Sequence, residues 1–281
     1  MVRRASQSTE RTEPTERPSG GIGGFVEGRS VEAATSCATR VDIRAVLFDL
    51  DNTLVDFLRM KRTASDAAAR AMVAAGADFP FSPDEAGDIL FGEYLQDLEG
   101  DTVFVDFLRK HHRQRLGLSQ HHVDRITAHA VNAYLKAKML QAEPFPGVRR
   151  TLIALVRRGV RLGVLTDAPR FKAYQRLESA GLVDFFDFVL AFGEGRDGDR
   201  RPHERPFRAA LDLLGLPPQQ VLMVGDWPER DLAGAKAVGM RTAWAAYGKP
   251  GMPAPPDAEF TLASAEELIR LPLVGVSREA A

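Results

Sequence analysis

From residue 43 onward the sequence predicts an α/β protein with a parallel sheet covered by helices on both faces, and three observations predict it. Short apolar, strand-like runs recur along the chain. Most of them are followed by stretches of helical periodicity, the alternation that builds a parallel sheet between helical layers. The exception is the first run, which is separated from the second by about 110 residues that read almost wholly as helix.

Taken in order, residues 43–48 form the first expected strand. Helices are expected over 57–75, 83–98, 103–116, 120–140 and 148–158. An insertion this long in a crossover is a small domain of its own, and at the carboxyl end of a first strand it stands over the crevice where such sheets bind ligands. The second strand is 161–166, followed by a helix over 170–179 that Gly181 ends. A third strand over 185–192 precedes a helix at 206–214, with Pro206 suited to its first turn. The fourth, 221–224, precedes a helix at 229–238 ended by Gly239, and 241–245 is the fifth. Residues 263–270 read as a closing helix.

Composition narrows the function. With 37 Lys+Arg against 38 Asp+Glu the net charge is -1, which provides no field to draw in nucleic acid or an anionic membrane, so small molecules are the expected partners. The single cysteine, Cys37, can form neither an internal disulfide nor a Cys-rich metal site. No apolar run of 18 residues occurs and the N-terminus has no apolar signal region, so the expected location is the cytoplasm. Residues 1–40 hold too few large apolar groups to offset their ordering entropy and read as a disordered tail. Their Arg and Ser content faintly matches an organelle transit peptide, but Glu10, Glu13, Glu16 and Glu27 argue against one.

Chemistry concentrates where the strands end. Asp49-Leu50-Asp51-Asn52-Thr53 follows the first strand and sets two carboxylates two residues apart, one able to attack phosphorus while the other handles the proton. The plain alternative is an Asp pair capping the next helix. Thr166-Asp167 ends the second strand, where the hydroxyl either binds a phosphoryl oxygen or caps the following helix. A basic residue precedes Pro202, and Gly225-Asp226-Trp227-Pro228-Glu229-Arg230-Asp231 follows the fourth strand. A cluster of Asp49, Asp51, Asp226 and Asp231 repels itself unless a cation neutralises it, and a hard, oxygen-lined site suits magnesium.

With these motifs the chain resembles the haloacid dehalogenase superfamily, in the branch with a helical cap inserted after the first motif, over about residues 41–271. The resemblance implies a Rossmann-like parallel sheet of order 3-2-1-4-5 built from residues 41–56 and 146–271, an all-helical cap over 57–145, and a C-terminal tail over 272–281. It implies a magnesium-dependent phosphatase that hydrolyses a small phosphorylated metabolite through an aspartyl-phosphate. Asp49 is then the nucleophile, Asp51 the general acid and base, and Thr166 and Arg201 bind the transferring group. Magnesium is held by Asp226, Asp49 and the backbone carbonyl of Asp51, with Asp231 in support. Asn52, Thr53, Asp167, Arg59 and Lys61 are assigned to substrate binding; Phe57, Arg59, Met60, Lys61 and Arg62 begin the first cap helix and either face the crevice or form an ordinary amphipathic helix start.

Two departures qualify the resemblance. Asp167 stands where the family usually has Asn, and Arg201-Pro202-His203-Glu204-Arg205-Pro206-Phe207 carries Arg where the third motif has Lys, with no lysine between Lys172 and Lys236. An arginine keeps the charge but offers a planar fork in place of a compact ammonium. A phosphomutase uses the same two aspartates, and Arg201 leaves room for a phosphate-binding protein of weak turnover. Two further patterns are read as uninvolved. Residues 193–198 match G-x-G-x-x-G but lead into Pro202 and Pro206, not a helix start, and the pairs His111-His112 and His121-His122 lack a carboxylate pattern to complete a metal site.

Overall fold

The computed structural model describes residues 43–96, 102–113, 118–192, 201, 203–255 and 258–271. Cys37, the two terminal tails, Pro202 and the glycine pattern at 193–198 lie outside the described residues.

Six parallel strands form one sheet in the order β3-β2-β1-β4-β5-β6: β1 (Ala45–Phe48), β2 (Arg161–Thr166), β3 (Phe188–Ala191), β4 (Val221–Gly225), β5 (Arg241–Ala245) and β6 (Phe260–Leu262). The expected order 3-2-1-4-5 is present, with β6 added at the β5 edge. Three residues are too few for a periodic pattern to register, so the sequence does not announce β6.

Helices follow the strands and the insertion: α1 (Phe57–Ala74), α2 (Pro83–Gln96), α3 (Val103–His111), α4 (Gln120–Leu140), α5 (Val148–Arg157), α6 (Arg170–Ser179), α7 (Glu204–Leu214) and α8 (Ala233–Ala237). Both faces of β1 are buried because alternate residues enter different cores. Val46 and Phe48 pack with Leu152 and Leu155 of α5 and Leu177 of α6. Ala45 and Leu47 pack with Phe207, Ala210 and Leu214 of α7. The inserted helices have a separate apolar cluster in which Met72, Leu90, Phe107 and Ile126 meet. No helix among the described residues is long and apolar enough to cross a membrane.

Four elements differ from expectation, the first being the helix expected over 103–116, which ends at His111 because His112 turns to an extended conformation. The strand expected at 185–192 is regular only over Phe188–Ala191, because Val183–Phe185 close a tight turn first. The helix expected at 229–238 is instead a wide turn, Pro228–Leu232, followed by the short α8. Asp231 holds that turn, its amide donating to the Trp227 carbonyl at 2.8 Å while its Oδ2 accepts from the Trp227 amide at 2.9 Å. The closing segment Ala265–Arg270 is a 3₁₀ helix fastened to α5, where the Thr151 hydroxyl donates to the Ala265 carbonyl at 3.1 Å.

Register brings the motifs together. Phe48 stands level with Val164 of β2 and Val224 of β4, so Asp49, Thr166 and Asp226 leave the sheet at one edge. The amide of Asp49 still donates to the Val224 carbonyl at 2.9 Å, which fixes its backbone.

Candidate active site

Asp49 opens a tight loop. Leu54 and Val55 return their amides to the Leu50 carbonyl, and Asn52 takes φ 59°, a left-handed conformation that Asn tolerates better than most residues. Its Oδ1 accepts from the Leu58 amide at 3.1 Å and so tethers the loop to α1. Thr53 is fully buried, its hydroxyl 3.5 Å from Asp49 Oδ2. Gly248 is required nearby, because a Cβ there would stand 1.8 Å from the Asn52 carbonyl oxygen.

Asp49, Asp226 and Asp231 are buried with carboxylate oxygens within 4.8 Å of one another. Gly225 makes the space, since a Cβ on it would lie 2.1 Å from Asp231 Oδ2. Burial, and after it the charge of Asp49, pushes the Asp226 carboxyl up to about 8. Burial also raises Asp231, against the pull of Arg201. Asp226 Oδ2 is buried without a hydrogen-bond partner, although Lys249 Nζ stands 3.5 Å away. A hard oxygen donor set with one orphaned oxygen fits a small divalent cation. Both Asp231 oxygens already accept hydrogen bonds, Oδ1 from Arg201 and Oδ2 from the Trp227 amide. Asp231 therefore braces the cluster.

Arg201 is the hub. Its side chain is 4% exposed, Nη2 donates to Asp49 Oδ1 at 2.8 Å, Nη1 donates to Asp231, and Nε lies 3.4 Å from Asp167 Oδ1. Burial works against the guanidinium charge, but Asp231, Asp49 and Asp167 outweigh it and raise its pKa. Arg201 and Arg230 likewise hold the Asp167 carboxyl below its ordinary range against the upward push of burial. Thr166 is buried; its hydroxyl oxygen accepts from the Ala168 amide at 3.2 Å, which leaves the hydroxyl proton to donate elsewhere.

Asp51 stands apart from this cluster. Its Oδ2 accepts from Arg176 while its Oδ1 is buried with no partner. Burial raises its pKa and Arg176 only partly reverses that. All these carboxylates, with Thr166, Asn52 and Lys61, line one cavity of about 250 Å³.

A model of the haloacid dehalogenase-like hydrolases matches residues 43–239, which include every strand from β1 to β4 and each motif above. The chain belongs to this family. Glyceraldehyde 3-phosphate phosphatase of Pyrococcus furiosus is 31% identical over 207 residues, 74% of this chain and 82% of that protein. Phosphoglycolate phosphatase of Rhodospirillum rubrum is 34% identical over 218 residues, 73% and 80% of the two chains. The crystal structure of a haloacid dehalogenase-family phosphatase from Thermococcus onnurineus superposes with a TM-score of 0.51 at 26% identity, covering 81% of this chain and 97% of that one.

In this hydrolase the structure brings most of the expected site residues to the cavity, leaves Thr53 and Arg59 off its lining, and adds several others. Arg59, expected to bind substrate, turns away from the cavity to pair with Asp56 and Glu143, because Glu143 lies where the chain returns from the insertion. Arg62 pairs with Asp66 and Asp88, and Met60 is wholly buried. Lys61 does line the cavity, its Nζ donating to the Tyr134 hydroxyl at 2.8 Å. Lys138, Lys172, Arg176 and Arg230 line it as well and are not anticipated. The signal that could have found two of them is local: Lys172 and Arg176 stand four apart on the helix after β2, so they share a face.

Proposed function

We propose that this chain is a magnesium-dependent phosphatase that hydrolyses a small phosphate monoester through an aspartyl-phosphate on Asp49. The observation that carries the reading is the convergence of Asp49, Asp51 and the orphaned oxygen of Asp226 on one cavity. Family membership and the phosphatases among its relatives make the chain a phosphoric monoester hydrolase. The rest is our assignment of roles.

An Asp49 oxygen attacks phosphorus as the bond to the leaving oxygen breaks, and Asp51, protonated, gives its proton to that oxygen. Burial favours that protonated form, and the unpartnered Oδ1 is the atom free to carry the proton. A water then attacks phosphorus, Asp51 takes its proton, and the bond to Asp49 breaks to release inorganic phosphate. Arg201 holds the Asp49 carboxylate in orientation, and the Thr166 hydroxyl donates to a phosphoryl oxygen. Magnesium would be held by Asp49, Asp226 and the Asp51 carbonyl, with Asp231 fixed behind them; bound there it shields the nucleophile from the phosphate dianion and stabilises charge on the equatorial oxygens. Helices α1–α4 act as a cap that closes the cavity over the sheet edge and excludes water.

Phosphate release from a panel of phosphorylated two- to six-carbon metabolites, with and without magnesium, tests the reading. Turnover is expected with magnesium and is expected to vanish in Asp49→Asn, which keeps the side-chain shape and loses the nucleophile. Turnover by Asp49→Asn near the wild-type rate would rule out the covalent route.

A further inference from the structure

The cavity lining divides by charge. Around Arg201 stand Asp49, Asp167, Asp226 and Asp231. On the Asp51 side stand Lys61 from α1, Lys138 from α4, and Lys172 and Arg176 from α6. Asp51 is the lining carboxylate that faces Arg176, Lys61 and Lys138, and Arg176 already holds one of its oxygens. Lys138 and Lys172 form no ion pair or hydrogen bond with a described residue.

Aromatic rings set this wall in place. The Lys61 ammonium lies 5.3 Å from the Phe57 centroid and 5.5 Å from that of Tyr134, and the Arg176 guanidinium lies 4.7 Å from Phe57. Burial first, then mutual repulsion, depresses Lys61 to about 6 and Lys138 to about 8. Gathering several ammonium groups in a small cavity around a single carboxylate costs free energy that a further anion recovers.

Resting on the phosphatase reading, we propose that Lys138, Lys172 and Lys61 form a subsite for a second anionic group of the substrate. The preferred substrates are then short phosphorylated carboxylic acids, and phosphorylated polyols or aldehydes are poor ones. The volume of about 250 Å³ favours a carboxylate on a two- or three-carbon chain over a second phosphate on a sugar.

A matched three-carbon pair tests this. With wild-type enzyme and magnesium, kcat/KM for 3-phosphoglycerate is expected to exceed that for glycerol 3-phosphate at least tenfold, with 2-phosphoglycolate on the side of the acid. Lys138→Met and Lys172→Met are each expected to reduce the acid-to-polyol ratio about tenfold or more, the worth of one charge-assisted hydrogen bond. Thermal melting checks that both variants fold. A wild-type ratio near one, a ratio unchanged in the double variant, or a three-carbon bisphosphate hydrolysed faster than either acid overturns the subsite while leaving the phosphatase intact. Calorimetric binding of the same pair to Asp49→Asn separates the two ideas: at least tenfold tighter binding of the acid supports the subsite even where turnover fails, and equal binding overturns it.

Discussion

Replacing Arg201 by Ala should cost stability before it costs anything else. The guanidinium is buried among Asp49, Asp231 and Asp167, donating directly to the first two, and Ala leaves those carboxylates facing one another without a counter-ion. Breaking a buried ion pair by deleting one partner costs about 3 to 5 kcal/mol. At roughly 2 to 4 °C per kcal/mol for a protein of this size, the metal-free variant should melt about 6 to 20 °C below wild type near pH 7.5. The deficit depends on pH with a definite sign. Without Arg201 the folded-state carboxyl pKa values rise, so the folded protein keeps protons that the unfolded chain releases above about pH 4. Stability is therefore preserved in acid and lost as pH rises toward the folded values, by about 1.4 kcal/mol per pH unit for each proton retained. Magnesium replaces part of the missing charge and should narrow the gap at pH 7.5. Arg201→Lys, a point charge that cannot fork between Asp49 and Asp231, should fall between the two and retain turnover. Differential scanning calorimetry from pH 5.5 to 8 with chelator and with magnesium makes the measurement. An Arg201→Ala protein that melts within about 2 °C of wild type in chelator at pH 7.5 would refute the claim that Arg201 is the counter-ion of the cluster.

Asp51→Asn should lower kcat by about 10² to 10⁴, the range for a positioned acid or base, and by far less with p-nitrophenyl phosphate, whose leaving group needs no proton; equal losses on both substrates would remove Asp51 from proton transfer. Asp226→Asn should abolish the magnesium-dependent rise in melting temperature. It should also flatten the metal-free decline of stability between about pH 4 and 8, which follows from a carboxyl pushed up to about 8 in the folded state; an undiminished magnesium shift would exclude Asp226 as a ligand. Gly225→Ala must displace the Asp231 carboxylate, whose Oδ2 would lie 2.1 Å from the new Cβ, so turnover should drop on the order of 10²-fold, and wild-type kinetics would show that Asp231 is not needed in place.

The motifs at the strand ends were legible because each is local: a buried run, then a carboxylate or hydroxyl where the ladder stops. Asp49, Thr166 and Asp226 follow directly, once parallel pairing aligns Phe48 with Val164 and Val224. The cation wall was not legible. Arg176 meets Asp51 across 125 residues of sequence, and Lys138 reaches the cavity only because the end of α4 packs against α6, a contact no periodicity encodes. Arg59 misled for the converse reason. On a helix start aimed at the crevice it reads as a substrate ligand, yet a partner appearing only at Glu143 draws it away. The wide turn at Pro228–Leu232 escaped because Asp231, read as one more metal carboxylate, spends its hydrogen bonds on the turn and on Arg201.

The chain enters and leaves the inserted helices through one paired crossing. The Asp56 amide donates to the Glu143 carbonyl at 3.2 Å and the Phe145 amide to the Leu54 carbonyl at 3.0 Å. Arg59 bridges Asp56 and Glu143 across the same junction, which gives that residue a role in holding the crossing together. Asp51 and Val55, three residues before Leu58, bridge at the base of the crossing, so the group assigned to proton transfer sits where the sheet edge meets the inserted helices. On its sheet side lies the carboxylate cluster that Arg201 ties to β1 and β4; on its helix side lies the lysine wall. On the proposed subsite, substitutions at Lys61 or Lys138 are expected to alter which leaving group is accepted, while the sheet-borne residues proposed to face phosphorus stay in place. Asp51 belongs to both halves, and its position makes the identity of the leaving group and the proton it receives a single structural question.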